Sequence, residues 1–340
     1  MPTPILICDD SSLARKQMTR ALPDAWDVHV SYAANGLEAL EAIRAGKGDV
    51  LFLDLNMPDM DGYEVLEAIR REDLPALVIV VSGDIQPEAH RRVMKLGALD
   101  FIKKPVDTGK VEDILDRYGI FRETPAREGA AREHDTTEGP VAGNINHLEC
   151  YQEVANIAMG RAADLLARLL DIFVVMPVPK VNMVTRDELL SILDQSFDDR
   201  PVSVICQGFI GAGLAGEALL VFHDSHIEDI ASLLHYHGEI ECEAESELLM
   251  DFGCILIGAC LKGLSEQLDV SFSQGQPLVL GKNIKIGELF KGNIINWSSI
   301  LMTDMGCHIE GRQVHCNLML LFTEDSISSL NNYISFMMTD

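Results

Sequence analysis

The chain has no Cys-x-x-Cys pair, few aromatic residues (6%) and roughly half as many basic residues as acidic ones, 27 against 53. Each shortage excludes something. Without paired cysteines, neither a zinc ribbon nor a thioredoxin-like redox motif can be read, and the eight scattered thiols fit buried free cysteines in a reducing compartment. A formal net charge of −26 leaves no basic stripe for a nucleic-acid backbone. The deficit is uneven. Residues 1–121 hold 14 Lys+Arg against 21 Asp+Glu, and residues 122–340 hold 13 against 32, so a DNA-binding output region is not expected. No run reaches the roughly 18 apolar residues of a membrane span; Phe252 to Leu261 is the longest. The Met1-Pro2-Thr3-Pro4 start lacks a charged-then-apolar signal pattern. The expectation is a cytoplasmic protein without nucleic-acid binding or membrane insertion.

What is present begins with four apolar runs, each ending in a chemically useful group. Ile5-Leu6-Ile7-Cys8 leads into Asp9 and Asp10, and Val50-Leu51-Phe52-Leu53 into Asp54. Leu77 to Val81 leads into Ser82, and Asp100-Phe101-Ile102-Lys103 into Lys104-Pro105. Short continuous apolar runs separated by helical stretches read as buried parallel strands. Reactive groups of an open parallel sheet collect beyond the carboxyl ends of its strands. One site therefore gathers three carboxylates, a hydroxyl and an ammonium, the parts of a magnesium-assisted phosphoryl acceptor. Phosphoryl transfer rests on positioning and on neutralising the equatorial oxygens. Asp9 and Asp10 suit Mg2+, which takes one or two carboxylates and keeps several waters. Asp54 suits the nucleophile, while Lys104 and Ser82 suit two phosphoryl oxygens.

Residues 1–121 resemble the receiver domain of two-component response regulators, close to the chemotaxis CheY type. The matching pieces are Asp9-Asp10, Asp54 followed by Met57-Pro58-Asp59-Met60-Asp61-Gly62, Ser82-Gly83, Lys104-Pro105, and Phe101 at the switch-aromatic position. The resemblance implies an α/β, flavodoxin-like (βα)5 fold and phosphorylation of Asp54 by a histidine kinase. It also implies that the Asn56 backbone carbonyl completes the metal site.

Residues 122–145 carry no aromatic residue and almost nothing branched to bury, so they read as a flexible linker. A coil of that length spans about 25–30 Å. Beyond it, an amphipathic helical pattern from His147 to Leu170 carries Glu149, Glu153 and Asn156, and a second from Glu245 to Leu268 carries Glu247, Asp251 and Cys254. Counterparts recur 98 residues on, as do Pro179 and Pro277. Strand-like segments follow each helix, and a further helix closes each half. The pattern predicts a pseudo-symmetric, internally duplicated α+β domain over 146–340.

Glu153-Val154-Ala155-Asn156 with Pro179 resembles the signature of the CheC/CheX chemotaxis phosphatases, with Glu149 departing from the usual leading Asp or Ser. That resemblance implies a protein phosphatase that hydrolyses the aspartyl-phosphate of a phosphorylated CheY-like response regulator. Asn156 would orient the water and Glu153 would contact the receiver lysine. A thiol donates and accepts weakly, so Asp251 and Cys254 read as a degenerate second site. The competing reading is a non-catalytic, phosphorylation-dependent adaptor; a homodimer is left open. His223, His226, His235 and His237 read as a strand end followed by an amphipathic helix with histidines on its exposed face, rather than as metal ligands.

Overall fold

The computed structural model describes residues 2–121, 147–197, 200–223, 225–289, 297 and 299–339. The linker expected over 122–145 lies outside the described residues. The chain divides into two compact units, the first containing the elements up to the fifth helix and the second comprising Asp84–Gln86 and the chain from Cys150 on.

The first unit alternates strand and helix: β1 (Thr3–Cys8), α1 (Ser12–Arg20), β2 (Val28–Ala33), α2 (Gly36–Arg44), β3 (Val50–Leu53), α3 (Gly62–Glu72), β4 (Leu77–Ser82), α4 (Pro87–Leu96), β5 (Asp100–Lys103) and α5 (Thr108–Arg117). The five strands form one sheet in the order β2-β1-β3-β4-β5, parallel throughout. Successive side chains of a strand point to opposite faces. Ile5, Ile7, Phe52, Ile79 and Val81 accordingly enter one apolar layer with Trp26 and Leu115. Leu6, Leu51, Leu53, Val78 and Val80 enter the other with Leu40, Val65 and Val93. Covering both faces is what a central parallel strand requires and why these runs are apolar at every position. Polar caps start the helices next to the strand ends. The Ser11 side chain accepts from the Ala14 N–H, Asn35 from Glu38, and Asp107 from Lys110, while Asp61 and Glu64 form a reciprocal capping box on α3.

The second unit runs α6 (His147–Leu170), β6 (Val174–Val175), β7 (Lys180–Val184), α7 (Arg186–Phe197), β8 (Pro201–Gly211), β9 (Leu214–His223) and α8 (Ile227–Leu233). It continues as α9 (Cys242–Leu268), β10 (Ser273–Gln274), β11 (Leu278–Lys285), α10 (Ile286–Leu289), β12 (Ile300–Ile309), β13 (His315–Phe322) and α11 (Glu324–Thr339). The order α-β-β-α-β-β-α thus occurs twice. All its strands join one eight-stranded antiparallel sheet, with the hairpins β8–β9 and β12–β13 meeting at β9·β13. Each half lends strands to the other: β6 and β7 pair with β12, and β10 and β11 pair with β8. One half alone would leave the outer edges of β8 or β12 without these partners.

Helix α9 is, by length and composition, apolar enough to cross a membrane. Its apolar residues are instead largely occupied inside the unit. Leu248, Leu249, Phe252, Leu256, Ile257 and Leu261 are buried. A Cβ added at Gly253 would come within 2.9 Å of Ile205, and one at Gly263 within 2.2 Å of the Ala158 carbonyl on α6. The second contact marks where α6 and α9 approach too closely for any side chain.

Candidate functional site

The sheet register of the first unit brings four strand ends to one edge. Cys8 pairs with Leu53, Leu53 with Val80, and Ser82 with Lys103. The next residue after β1, β3 and β5 is Asp9, Asp54 and Lys104 respectively, and Ser82 itself ends β4. Asp9, Asp54, Ser82 and Lys104 are all buried. Ligand oxygens of Asp9, Asp10 and Asp54 lie within 4.8 Å of one another. The Lys104 ammonium stands 2.7 Å from Asp9 Oδ2 and 3.4 Å from Asp54 Oδ1. Asp9 is held in place from its own loop, since Oδ1 accepts from the Ser11 N–H at 2.9 Å and Arg15 donates to its carbonyl.

Charge sets the chemistry here. Three carboxyl groups face one ammonium at this edge, two of the carboxyls and the ammonium being buried. Isolated charges in such a place are costly. A divalent cation is the natural balance, and an all-oxygen donor set of this kind favours a hard ion. Asp9, Asp10 and Asp54 therefore fit such an ion. Asn56, whose carbonyl was expected to complete the set, is half-buried two residues beyond Asp54.

The chain beyond Asp54 must turn tightly to reach α3. The Gly62 N–H donates to the Leu55 carbonyl at 2.9 Å. A Cβ at Gly62 would stand 2.3 Å from the Asp54 carbonyl and 2.8 Å from Leu55 Cα. Gly62 thus seats the helix against the acceptor loop. Burial raises the pKa of the Asp61 carboxyl, and the backbone hydrogen bonds of the capping box oppose that rise. Phe101 on β5 is half-buried and meets His90 of α4 edge-on, with ring centroids 5.6 Å apart. The His90 contact was not legible in the sequence, because an isolated histidine eleven residues from an aromatic has no distinguishing pattern.

In the second unit, Glu153 and Asn156 lie one helical turn apart on α6, and both are buried. Asp251 and Cys254 occupy the related stretch of α9, the first exposed and the second half-buried. Burial, followed by the Asp251 charge, raises the Cys254 thiol pKa. His223 ends β9, at the strand end the sequence places there, and its ring stacks on His315 of β13, which stacks on His308 of β12. Its Nε2 is 2.9 Å from Asn317 Oδ1. His226 caps α8, and His235 and His237 follow that helix.

Comparison with known proteins places the first unit. The response regulator receiver domain family matches residues 5–116. A protein-glutamate methylesterase/protein-glutamine glutaminase of Geobacter sulfurreducens is 35% identical over 46% of this chain and 40% of its own. The chain therefore spans less than half the length of that relative. The chemotaxis protein CheY of Listeria monocytogenes is 36% identical over 33% of this chain and 95% of its own length. Among solved structures, FliY of Thermotoga maritima is 20% identical over 56% of this chain and 96% of that chain, with a TM-score of 0.42.

These relatives overturn the expected aspartyl-phosphate phosphatase. Curated homologues from several organisms are protein-glutamate methylesterases, a different reaction. The catalytic roles expected for Glu153 and Asn156 are withdrawn with that activity. The first unit stands firmly: by a family match across its sheet and a CheY relative covered almost end to end, this chain belongs to the response regulator receiver family.

Proposed function

We propose that this protein is a phosphorylation-switched response regulator of a chemotaxis-type pathway whose second unit acts as a phosphorylation-dependent binding module. The observation that carries the reading is the convergence of Asp9, Asp10, Asp54 and Lys104 at one sheet edge. A histidine kinase supplies the phosphoryl group. An Asp54 carboxylate oxygen attacks phosphorus, the bond from phosphorus to the kinase imidazole breaks, and the imidazole leaves with the electron pair. Asp9, Asp10, Asp54 and the Asn56 carbonyl would hold Mg2+, which would supply positive charge beside the phosphoryl oxygens. Lys104 moves its ammonium from the carboxylates to one phosphoryl oxygen, and the Ser82 hydroxyl donates to another. Phe101 packs differently once Ser82 is engaged and carries the change to the surface.

The division of labour follows the domains: receiver over 1–121, linker over 122–145 and output over 146–340. The twofold repeat of elements in the second unit supports an origin by duplication of a CheC-like half. The exposed Asp251 and the half-buried Cys254 serve there as binding determinants on α9, and a phosphorylated CheY-like receiver is the partner. A cytoplasmic setting suits a kinase-fed receiver.

The methylesterase relatives supply the competing reading, a hydrolytic output. Ser225, next to the histidine stack, speaks against it at that place. Its hydroxyl is 2.7 Å from the His315 carbonyl and 3.2 Å from the His223 carbonyl, so it serves backbone groups rather than an imidazole base.

The test has two arms. Acetyl phosphate with Mg2+ should add one phosphoryl group to the intact protein, and none to Asp54→Asn. Beryllofluoride, which mimics the phosphoryl group on Asp54, should then change affinity for an immobilised CheY-like receiver at least tenfold. Unchanged affinity together with release of methanol from a glutamyl methyl ester peptide would replace the binding module with a hydrolase.

A further inference from the structure

Outside the receiver site, one nucleophile stands apart from the other thiols. Of the eight cysteines, Cys242 is the exposed one; five are buried and two intermediate. It is the first residue of α9 and faces Lys282 in the middle of β11. The Lys282 Nζ donates to Cys242 Sγ at 3.1 Å and to the Cys242 carbonyl at 2.7 Å. Glu245, one turn along α9, accepts from the same ammonium at 3.3 Å. The three side chains line a cavity of 440 Å³ together with Phe222, Ile230 and Leu249.

Two nucleophiles at that distance are unusual company for a structural ion pair. A carboxylate alone would suffice to hold Lys282. The contact with sulfur aims a nitrogen at an atom that changes from nucleophile to electrophile on oxidation. The hydrogen bond to Cys242, and then Glu245, raise the Lys282 ammonium above the ordinary lysine range. Glu245 holds the ammonium in place against the sulfur.

We propose that Cys242 and Lys282 form a peroxide-sensitive covalent switch, a reversible sulfur–nitrogen link that ties the start of α9 to β11 across this cavity. The thiolate sulfur attacks one oxygen of a hydroperoxide. The O–O bond breaks, water (or the corresponding alcohol) is released, and Cys242 becomes a sulfenic acid, oxidised by two electrons. The Lys282 nitrogen, its proton lost to solvent, attacks sulfur. The S–O bond breaks and hydroxide departs, taking the second nitrogen proton as water. With hydrogen peroxide, one thiol, one amine and one peroxide become one sulfenamide and two waters. Two equivalents of a thiol reductant reverse the link, yielding the free cysteine, the free lysine and the reductant's disulfide.

The link closes a loop between residues 242 and 282, which lie 40 apart in the chain. It also fixes the cavity wall formed by β11, the strand that the second half lends to β8. Redox state would thereby set the rigidity of an edge of the output sheet independently of Asp54.

The test uses the full chain with hydrogen peroxide. After proteolysis, mass spectrometry should find a peptide joining Cys242 to Lys282, lighter than its two parts by two hydrogens, which dithiothreitol splits. In Lys282→Met the sulfenic acid has no nitrogen to meet. Labelling of Cys242 by dimedone should therefore rise at least fivefold over the parent protein, while Lys262→Met leaves it unchanged. Equal labelling in the parent and in Lys282→Met would overturn the proposal. So would a Cys242 that stays a thiol under peroxide, or that goes only to an intermolecular disulfide. Circular dichroism of the untreated variants shows whether each is folded.

Discussion

The Lys104 ammonium lies 2.7 Å from the Asp9 carboxylate, with both side chains almost wholly buried. Asp54 shares the same ammonium at 3.4 Å. Breaking a buried pair from one side leaves an uncompensated charge and costs several kcal/mol. Lys104→Met should therefore destabilise the metal-free protein by about 3 kcal/mol at neutral pH, read by urea denaturation. Saturating magnesium should restore much of that loss, because the cation takes over the charge balance. Asp9→Asn breaks the same pair but leaves the ammonium beside Asp54, so its loss of stability should be smaller, and the melting-temperature rise that magnesium gives the parent should vanish. A rise that survives in Asp9→Asn would remove this residue from the metal site.

Gly62 is required by space rather than by backbone freedom. Its missing Cβ would stand 2.3 Å from the Asp54 carbonyl oxygen, a backbone atom with no rotamer to escape into. Gly62→Ala must therefore shift either α3 or the acceptor loop. Overpacking of this kind costs about 1–3 kcal/mol, while the alanine gain within a helix is at most about 1. The clash wins. The variant should lose about 2 kcal/mol in denaturant titration, and Asp54 should phosphorylate more slowly from acetyl phosphate, because the loop holding the acceptor has moved.

Protonation of the second unit has a definite sign. Burial first, and the neighbouring His315 second, lower the His308 pKa from its ordinary value of 6.5. A histidine whose folded pKa is depressed has no effect on stability while both states are neutral. As pH falls below about 6.5, the unfolded chain takes up a proton that the folded one resists, and stability declines until the folded group also titrates. Asp304, four register positions from His308 on the same strand, runs the other way. Burial raises its carboxyl pKa against the hydrogen bond from Asn317, so it favours the folded state as pH falls through the lower, carboxylate range. His308→Asn should flatten the stability profile just below pH 6.5 and leave the acidic limb in place. An unchanged profile above pH 5 would mean that the stack does not resist protonation.

The parts of this fold that sequence discloses are those where one physical demand dominates every position. Leu51 and Phe52 face opposite layers, yet both are fully buried, so the run around them reads as a strand and points at Asp54. The bounds of α6, His147–Leu170, follow from a periodic pattern ending before Pro177. Where demands mix, the signal fades. Strand β2 lies at the sheet edge with Val28, His29 and Val30 partly solvated, so no apolar run announces it. Strand β11 pairs through two register shifts and carries Lys282 and Asn283 in its course, a pattern indistinguishable from a loop. The exchange of strands between halves is likewise invisible locally, since the pairing of Val181 with Thr303 is decided over more than a hundred residues. For the candidate site, the strand-end acids were legible because their order along the chain matches their order in the sheet. The Cys242–Lys282 contact was not, for it depends on β11.

Two glycines of α9 separate packing from propensity on a single helix. A Cβ at Gly263 would lie 2.2 Å from the Ala158 carbonyl and 3.1 Å from its carbon, so α6 would have to move away along its buried face. At Gly258 the nearest atoms are the side-chain tip of Gln274 at 3.7 and 3.9 Å, ordinary contact with a group free to rotate. Alanine improves both sites by about 1 kcal/mol as a helix former. At Gly258 nothing opposes that gain, and Gly258→Ala should stabilise the second unit by about 0.5–1 kcal/mol. At Gly263 the overpacking cost of about 1–3 kcal/mol exceeds it, and the buried neighbours Leu264 and Ala162 leave little room for relaxation. Gly263→Ala should therefore destabilise by about 1–2 kcal/mol in thermal or urea unfolding. If both substitutions stabilise, α6 and α9 stand farther apart in solution than these contacts require. If both destabilise, Gly258 is held by something other than Gln274.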